Sequence, residues 1–539
     1  MRVTNSMISN RSQVHISNAK NKMLTAEEQY TTMKKIQRPS EDPTIASRSL
    51  KFRTTMAQLT QYVEKNVQDA MDWMDTTEGA MKKVSSTFTD MEGYFSQGAN
   101  SYPESKERTA ILTQLRQYAT AIFEDNANAD YAGRYMFTGY RTDTSLLFPN
   151  SSDTLEYEIT EKFKSTDIDT IRNVESDIKY QDGMTQEEYA KLEAKVNTGY
   201  RIQLSYNNCS NQPITGGNNV FSMSLTYGNT TEEYSVDNGK VGVVSQNDAY
   251  AYDIDRYNQV NGTNYEAIYI YDAGEIVLGK TLYSTIQEKE ANFSIDYTKN
   301  KFEKSDIRPE MYFKCDRYDT VSMKNTYFAD PSDQNINYEV NFSQTLTVNT
   351  QAKDAFDTEI YRCLDYIERV IGDVTDVENR IADVEKKIAN TSDQDEIASL
   401  GTLKTSLENE QQLRVSIMNE AFGRGLTMVN KCEATLNVAV AELGAKYNRL
   451  QMTQDRLSDE KTDTEEKLSN NEDMDIADAV IGLTQADNLY QASLSATAKI
   501  LGNSLLDYIL NRTWQFLQGG FRQQDQQINV RCQKSLAPY

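Results

Sequence analysis

The sequence predicts an α+β multidomain fold: a long antiparallel α-helical coiled-coil rod built from both chain ends, with a β-rich domain, or two, inserted in the middle. Three observations carry this. Apolar residues recur at steps of three and four over Phe52–Phe95 and again over Ile360–Leu468, the spacing that lines one face of a helix. Between about 150 and 344 that period gives way to Tyr, Asn, Gly and Thr in alternating runs. A last stripe, Ile476, Val480, Leu483, Tyr490, Leu494, Leu501, Leu505 and Tyr508, is flanked by small residues and lies where it cannot bury itself.

The totals suit narrow buried seams better than one large core. Of 539 residues, 38% are hydrophobic, and the mean hydropathy is −0.67. A net charge of −24 disfavours binding to nucleic acid, which requires clustered Lys and Arg. His15 is the only histidine, which excludes His-based triads and multi-His metal sites. The five cysteines are scattered without CxxC spacing and read as packed free thiols. No HExxH, P-loop or GxGxxG motif follows a strand, and Asp316 and Asp319 lack the spacing of an EF-hand. No catalytic, metal-binding or cofactor-binding residue is therefore assigned. No apolar run reaches the length of a membrane span, and the N-terminus lacks the apolar core of a Sec signal, so export would use another route.

In order, residues 1–43 form an N-terminal axial segment with a sparse apolar pattern that includes Met7 and Val14. It is expected to be disordered until assembly and helical only when paired. Asp42-Pro43 marks a helix start, an acceptor at the N-cap followed by proline at the first helical position. Residues 44–148 supply the N-terminal part of the rod; a helix of about 50 residues would run roughly 75 Å. Its one irregularity, Leu59–Val63–Val67, takes two steps of four, a stutter that locally unwinds a heptad supercoil. After a turn at Tyr102-Pro103 a helix returns through Ile111 to Ala129, then ends at two glycines bracketing an extended aromatic run, Gly133–Tyr140.

Residues 149–345 form the β-rich outer insert. Strands are predicted at Phe221–Tyr227, Met311–Lys314 and Tyr338–Phe342, with a hairpin at Ile268–Tyr271 and Glu275–Leu278 and helix over Gln186–Val196. The tyrosine-rich strands permit either a solvated sheet or a sugar- or surface-binding face. Residues 346–470 return to helix, with a bend at Asn390–Gln394, an interruption at Gly423-Arg424-Gly425, and Leu436, Leu443, Leu450 and Leu457 seven apart. Asn470–Asp473 separates these from the C-terminal axial helix, 471–510, and 511–539 is a basic, Gln-rich tail.

Several stretches resemble the flagellin superfamily, and within it the hook–filament junction proteins. They are Met1–Met7; Arg38–Pro43 (with Pro39, Ser40, Asp42 and Pro43) followed by Ile45-Ala46-Ser47; and Gly133–Thr144, with Gly133, Arg134, Tyr135, Phe137, Gly139 and Tyr140. At the other end are Glu442–Leu450, Asp475–Ala479, Gln491–Ile500 and Ser504–Tyr508. The resemblance implies an extracellular structural subunit exported by the flagellar type III apparatus with a chaperone. Its terminal helices would assemble with copies of itself into a ring joining hook-associated protein 1 to flagellin. It also permits a flagellin-like filament subunit; composition alone would permit an unrelated coiled-coil scaffold with a surface-binding insert. The family usually ends near the equivalent of Leu510, and its junction members are often shorter in the middle. The insert, the segment Ile360–Met418 and the tail depart from it.

Overall fold

A computed structural model describes the backbone of residues 5–520 except 101–103, 218, 229 and 249. Side chains are described through Lys499, apart from Asn5 and Asp333. The expectations for Met1–Thr4 and for 521–539 lie outside the described residues, as do the side chains of Leu501, Leu505 and Tyr508.

The chain opens with helices α1 (Asn5–Thr32) and α2 (Pro43–Gln61), and a π-helical turn at Tyr62–Asn66 leads into α3 (Val67–Ala99). Helix α4 (Ser105–Thr120) closes in a second π turn, Ala121–Ala127, and the small hairpin β1 (Asp130–Tyr131), β2 (Arg134–Tyr135) follows. The middle holds β3 (Leu155–Lys164), β4 (Asp169–Glu175), α5 (Gln186–Tyr189), β5 (Lys195–Gln203), β6 (Phe221–Tyr227), β7 (Thr230–Ser235) and β8 (Val241–Val244). It continues through α6 (Ile254–Asn261), β9 (Ala267–Ile270), β10 (Glu275–Leu278), α7 (Lys280–Glu288), β11 (Asn292–Lys299), β12 (Lys314–Asp319) and β13 (Lys324–Phe328). After the hairpin β14 (Asn337–Asn341), β15 (Gln344–Thr347) come α8 (Ala352–Ala355), α9 (Glu359–Asn390), α10 (Gln394–Glu472) and α11 (Ile476–Gly520).

The stutter is where the helix changes type. A π turn takes an extra residue into one turn, and Tyr62–Asn66 falls between Leu59 and Val67, both fully buried. Asp42 caps α2 as its sequence implies, accepting from the amides of Thr44 and Ile45 at 2.8 and 3.2 Å.

The chain divides into two compact units, residues 66–453 and the two ends, 1–65 with 454–539. The larger unit is built on two sheets. One has six antiparallel strands in the order β13-β12-β3-β11-β6-β7; the other has five, β4-β5-β10-β9-β8, with β8 and β9 parallel. Helix α6 makes the crossover that parallel neighbours require. One core serves both inner faces: Tyr157, Ile159, Met223 and Tyr297 from one sheet, Ile202, Ile276 and Leu278 from the other. Phe221 stacks on Tyr269 across the gap with ring centroids 4.6 Å apart. The tyrosines of the insert thus largely fill a core rather than decorate a solvated sheet; Tyr157, Tyr189, Tyr206, Tyr234, Tyr269, Tyr297 and Tyr312 are all buried.

Two buried carboxylates in this unit face opposite environments. Glu275 lies between Arg201 (2.8 Å) and Arg369 (2.9 Å). Burial alone would raise its pKa, but the two guanidiniums outweigh burial and hold it at about 2. Glu161 forms no ion pair among the described residues; burial pushes it up to about 7 although Tyr297 and Ser205 donate to it and the charge of Arg362 acts in the opposite sense.

Some expectations need correction. Met311–Lys314 is not a strand: a short 3₁₀ turn, Pro309–Met311, precedes β12, which starts at Lys314. Only one helical turn, α5, forms in Gln186–Val196, because Lys195–Gln203 is drawn into the five-stranded sheet. The predicted hairpin forms as β9 and β10, with Gly274 at φ +60 pressed against the Tyr206 carbonyl. Gly423 and Gly425 do not interrupt α10. Gly425 is there for space, since a Cβ would come within 2.3 Å of the Phe95 ring. Thr391–Asp393 does separate α9 from α10, and Val384, Leu400, Leu403 and Leu407 close the two helices onto Ile178 and Tyr189.

Candidate assembly interface

In the unit formed by the chain ends, α1 packs against α11. The direction is set by a short backbone junction where α1 ends and α11 begins. The amide of Lys35 donates to the Glu472 carbonyl at 2.7 Å, and that of Met474 to the Met33 carbonyl at 2.9 Å. Lys34 and Asp473 form an antiparallel bridge. The C-terminal end of α1 therefore meets the start of α11, and the helices run antiparallel.

Charge reinforces the junction. The Glu472 side chain is nearly buried and receives Arg53 at 2.6 Å and Lys34 at 3.3 Å, while Lys34 also reaches Asp473 at 2.5 Å. Burial raises the pKa of Glu472, but the donors Arg53, Ser49 and Lys34 together bring it below the usual carboxylate value. Asn471 adds a hydrogen bond to Ser49 at 2.7 Å and one to the Ile45 carbonyl at 3.0 Å. Nothing in the local sequence announces this junction, because its partners lie more than 400 positions apart.

The seam between the helices uses small residues. On α1 the least exposed positions are Ser9, Ser12, Ile16, Ala19, Met23 and Ala26, at steps of three and four. On α11 they are Ala479, Leu483, Ala486, Tyr490, Ser493 and Thr497, in the same rhythm. Ala19 is 4% exposed and Ala479 1%. Small side chains let two backbones approach closely, as at the tightest helix crossings. The alanines near α11 signal this in the sequence; the serines of α1 look merely polar.

This seam splits the predicted stripe. Leu483 and Tyr490 are half-buried on it. Ile476, Val480 and Leu494 stay exposed beside Ile481 and Leu489, and on α1 so do Met7, Ile8, Val14, Leu24 and Tyr30. Ile476 and Met7 are among the most exposed, at 63% and 61%. Large apolar side chains thus line the outside of the helix pair. Leu501, Leu505 and Tyr508 belong to α11, and their side chains lie outside the described residues.

The other motif residues have structural positions. Pro39, Ser40 and Asp42 occupy the link between α1 and α2, and Pro43 starts α2. Gly133 (φ +77) and Ala132 (φ +52) make the two-residue turn between β1 and β2. Arg134 lies over the Trp73 ring at 5.1 Å, and Tyr135 is half-buried. Phe137 meets Phe356 edge-on at 4.8 Å. Gly139 (φ +61) admits the side chain of Gln334, whose carbonyl receives the Tyr140 amide at 3.2 Å. In the larger unit the motif ties the end of the α3–α4 pair to the chain returning from the insert.

Residues 3–142 match the bacterial flagellin N-terminal helical region, and 426–509 the bacterial flagellin C-terminal helical region. Both ends of this chain are thus similar to flagellin helical regions. The chain is similar to flagellar hook-associated protein 3 of Salmonella typhimurium, 24% identical over 174 residues, 32% of this chain and 54% of that protein. With the Escherichia coli protein of the same name it shares 23% over 145 residues, 27% of this chain and 45% of that one. The chain thus spans about half the length of the curated relatives it matches. Solved structures of similar chains include Xanthomonas campestris FlgL, at 12% identity and TM-score 0.28 over 78% of this chain and 99% of that one. Another is flagellar hook associated protein-3 of Legionella pneumophila, at 10% and 0.27 over 78% and 97%. The matched regions contain long helices at each end, and the five- and six-stranded sheets lie between them in sequence. Among the described residues, no helix is long and apolar enough to cross a membrane.

Proposed function

We propose that this chain is a structural subunit of the bacterial flagellum at the junction between hook and filament, acting outside the cell and without catalysis. The observation that carries the reading is the row of large apolar side chains, Ile476, Val480, Leu494, Met7 and Val14, exposed on a helix pair whose small residues already close it from within. Apolar faces of this kind are buried in assembly. Copies of the chain pack through α1 and α11 after export through the flagellar type III apparatus with its chaperone. Hook-associated protein 1 adjoins one side of the ring and flagellin the other. Support comes from the two flagellin regions at the ends and from the names of the similar proteins.

Deleting the gene tests the reading. Cells should keep hooks, lose filaments and release flagellin monomers into the medium. Filaments still attached to the mutant cells would overturn it, and loss of the hooks themselves would move the subunit to an earlier assembly step.

A further inference from the structure

In the unit formed by the chain ends, α2 and the last turns of α10 lie side by side and antiparallel. Asn471 donates to the Ser49 hydroxyl at 2.7 Å, and Lys461 reaches Glu64 at 2.6 Å. Their seam takes Ser49 and Leu59 from α2 and Leu457 and Thr464 from α10, all buried. Ion pairs bridge the helices beside that seam, Arg53 with Glu472 and Lys461 with Glu64.

The outward faces of this pair carry opposite charge. On α10, Asp455, Asp459, Asp463 and Glu466 are exposed at steps of four, four and three, which the helical period sets opposite Leu457 and Thr464. None forms an ion pair among the described residues. Like charges four apart weaken a helix, and earlier on α10 the carboxylates have partners: Glu410 meets Arg414, and Glu420 meets Arg424. The exposed cations Arg456 and Lys467 stand at one edge of the acidic face. On α2, the side turned away from Ser49 and Leu59 presents Lys51 beside Leu50, which is 68% exposed. Arg48 lies at the edge of that side, and Lys65 in the π turn that follows. These three cations also lack an ion pair among the described residues. From Pro43 to Lys65 the only carboxylate is Glu64, already held by Lys461.

We propose that the acidic α10 face of one copy docks on the basic α2 face of the next copy of this chain. The proposal rests on the ring assembly described above and adds a lateral contact to that of α1 and α11. A ring of identical subunits requires each copy to present two different, complementary faces. These two meet the requirement, because they lie on opposite sides of one helix pair and carry opposite charge. Two acidic faces would repel, so the charges also exclude a symmetric pairing of like faces and fix the direction of the contact. Leu50 supplies an apolar contact among the cations.

The test treats isolated flagella carrying the full-length chain with a carbodiimide, which joins an ammonium to a carboxylate in contact with it, and identifies the linked peptides by mass spectrometry. Lys51 or Lys65 should be found joined to a carboxylate of Asp455–Glu466. Those faces point apart within one copy, so such a link joins two copies; the link between Lys461 and Glu64 is the internal control. The second measurement reverses charge. Arg48→Glu/Lys51→Glu and Asp459→Lys/Asp463→Lys should each lower the number of filament-bearing cells at least about tenfold, and the combination should restore it to within about twofold. Absence of the intermolecular link where the control link forms, unchanged filament numbers in both reversals, or a combination no better than either reversal would each overturn the proposal. The link is read wherever copies meet: a deletion strain that keeps its filaments refutes the junction reading alone, and filament loss on deletion without the link removes this contact alone.

Discussion

Gly425 and Phe95 interlock. The ring lies where a Cβ on residue 425 would stand, 2.3 Å from its Cε1, and one turn away Gly98 accepts the Phe422 ring in the same manner. The two rings meet edge-on at 6.5 Å. Gly425→Ala must displace a fully buried ring and should cost about 1–3 kcal/mol. Gly423→Ala, on the same helix with nothing within 4 Å, should instead gain up to about 1 kcal/mol, the ordinary helix preference of alanine. Urea midpoints of the two variants decide; a gain in both would show that the ring moves freely.

Glu161 should make the protein less stable as pH rises. Its folded pKa, about 7, exceeds the ordinary 4.5, so the unfolded chain loses this proton first. Stability therefore falls between about pH 4.5 and 7 and is level above. The difference corresponds to about 3 kcal/mol. Glu161→Gln should flatten this part of the profile. Parallel denaturation curves at several pH values check it: an unchanged slope in the variant would locate the effect elsewhere.

Glu275 behaves in the opposite sense. Its folded pKa of about 2 lies below the ordinary 4.5, so its contribution is present above pH 4.5 and is lost as pH falls toward 2. Glu275→Gln removes the anion between Arg201 and Arg369, leaving Arg201 only Asp169 at 3.2 Å, and should cost about 3–5 kcal/mol at pH 7. A thermal midpoint near that of the unmodified protein would contradict this.

Glu472→Ala should loosen the junction rather than unfold it. Its partners Lys34 and Arg53 are substantially exposed, so the global cost is at most about 1 kcal/mol. The readout is hydrogen exchange at the amides of Lys35 and Met474, which close the backbone junction. Both should exchange faster, with amides of the two-sheet domain unaffected.

Ile476→Asp/Leu494→Asp should leave the free subunit as stable as before, within about 0.5 kcal/mol, because both side chains are exposed. Assembly should fail, since two charges would enter an apolar contact. Normal motility in a strain carrying the double variant would remove these residues from the interface.

The helices were legible because their signals are local. The start at Asp42-Pro43, the stutter at Leu59–Val67 and the break at Asn390–Gln394 each depend on neighbours within a turn or two, and each appears in the structure. The strand Phe221–Tyr227 and the hairpin around Gly274 were equally plain. Gly425 misled because glycine signals both a chain break and a close approach, and only the ring of Phe95 distinguishes them. The helix expected over Gln186–Val196 stops after one turn, and its last residues, Lys195 and Val196, pair with β4 instead, where strand pairing overrides a weak helical preference.

By itself the sequence determined where the long helices run, that the middle is β-rich, and that the last helix carries an apolar stripe it cannot bury alone. Only the tertiary structure decided which part of that stripe is used within the chain. Close approach of α1 selects Ala479 and its small neighbours for the seam and leaves Ile476, Val480 and Leu494 outside. That choice depends on a junction between Lys34 and Asp473, residues 439 positions apart. Periodicity along one helix specifies a face; which neighbour covers it is set by packing between segments that the local pattern does not connect.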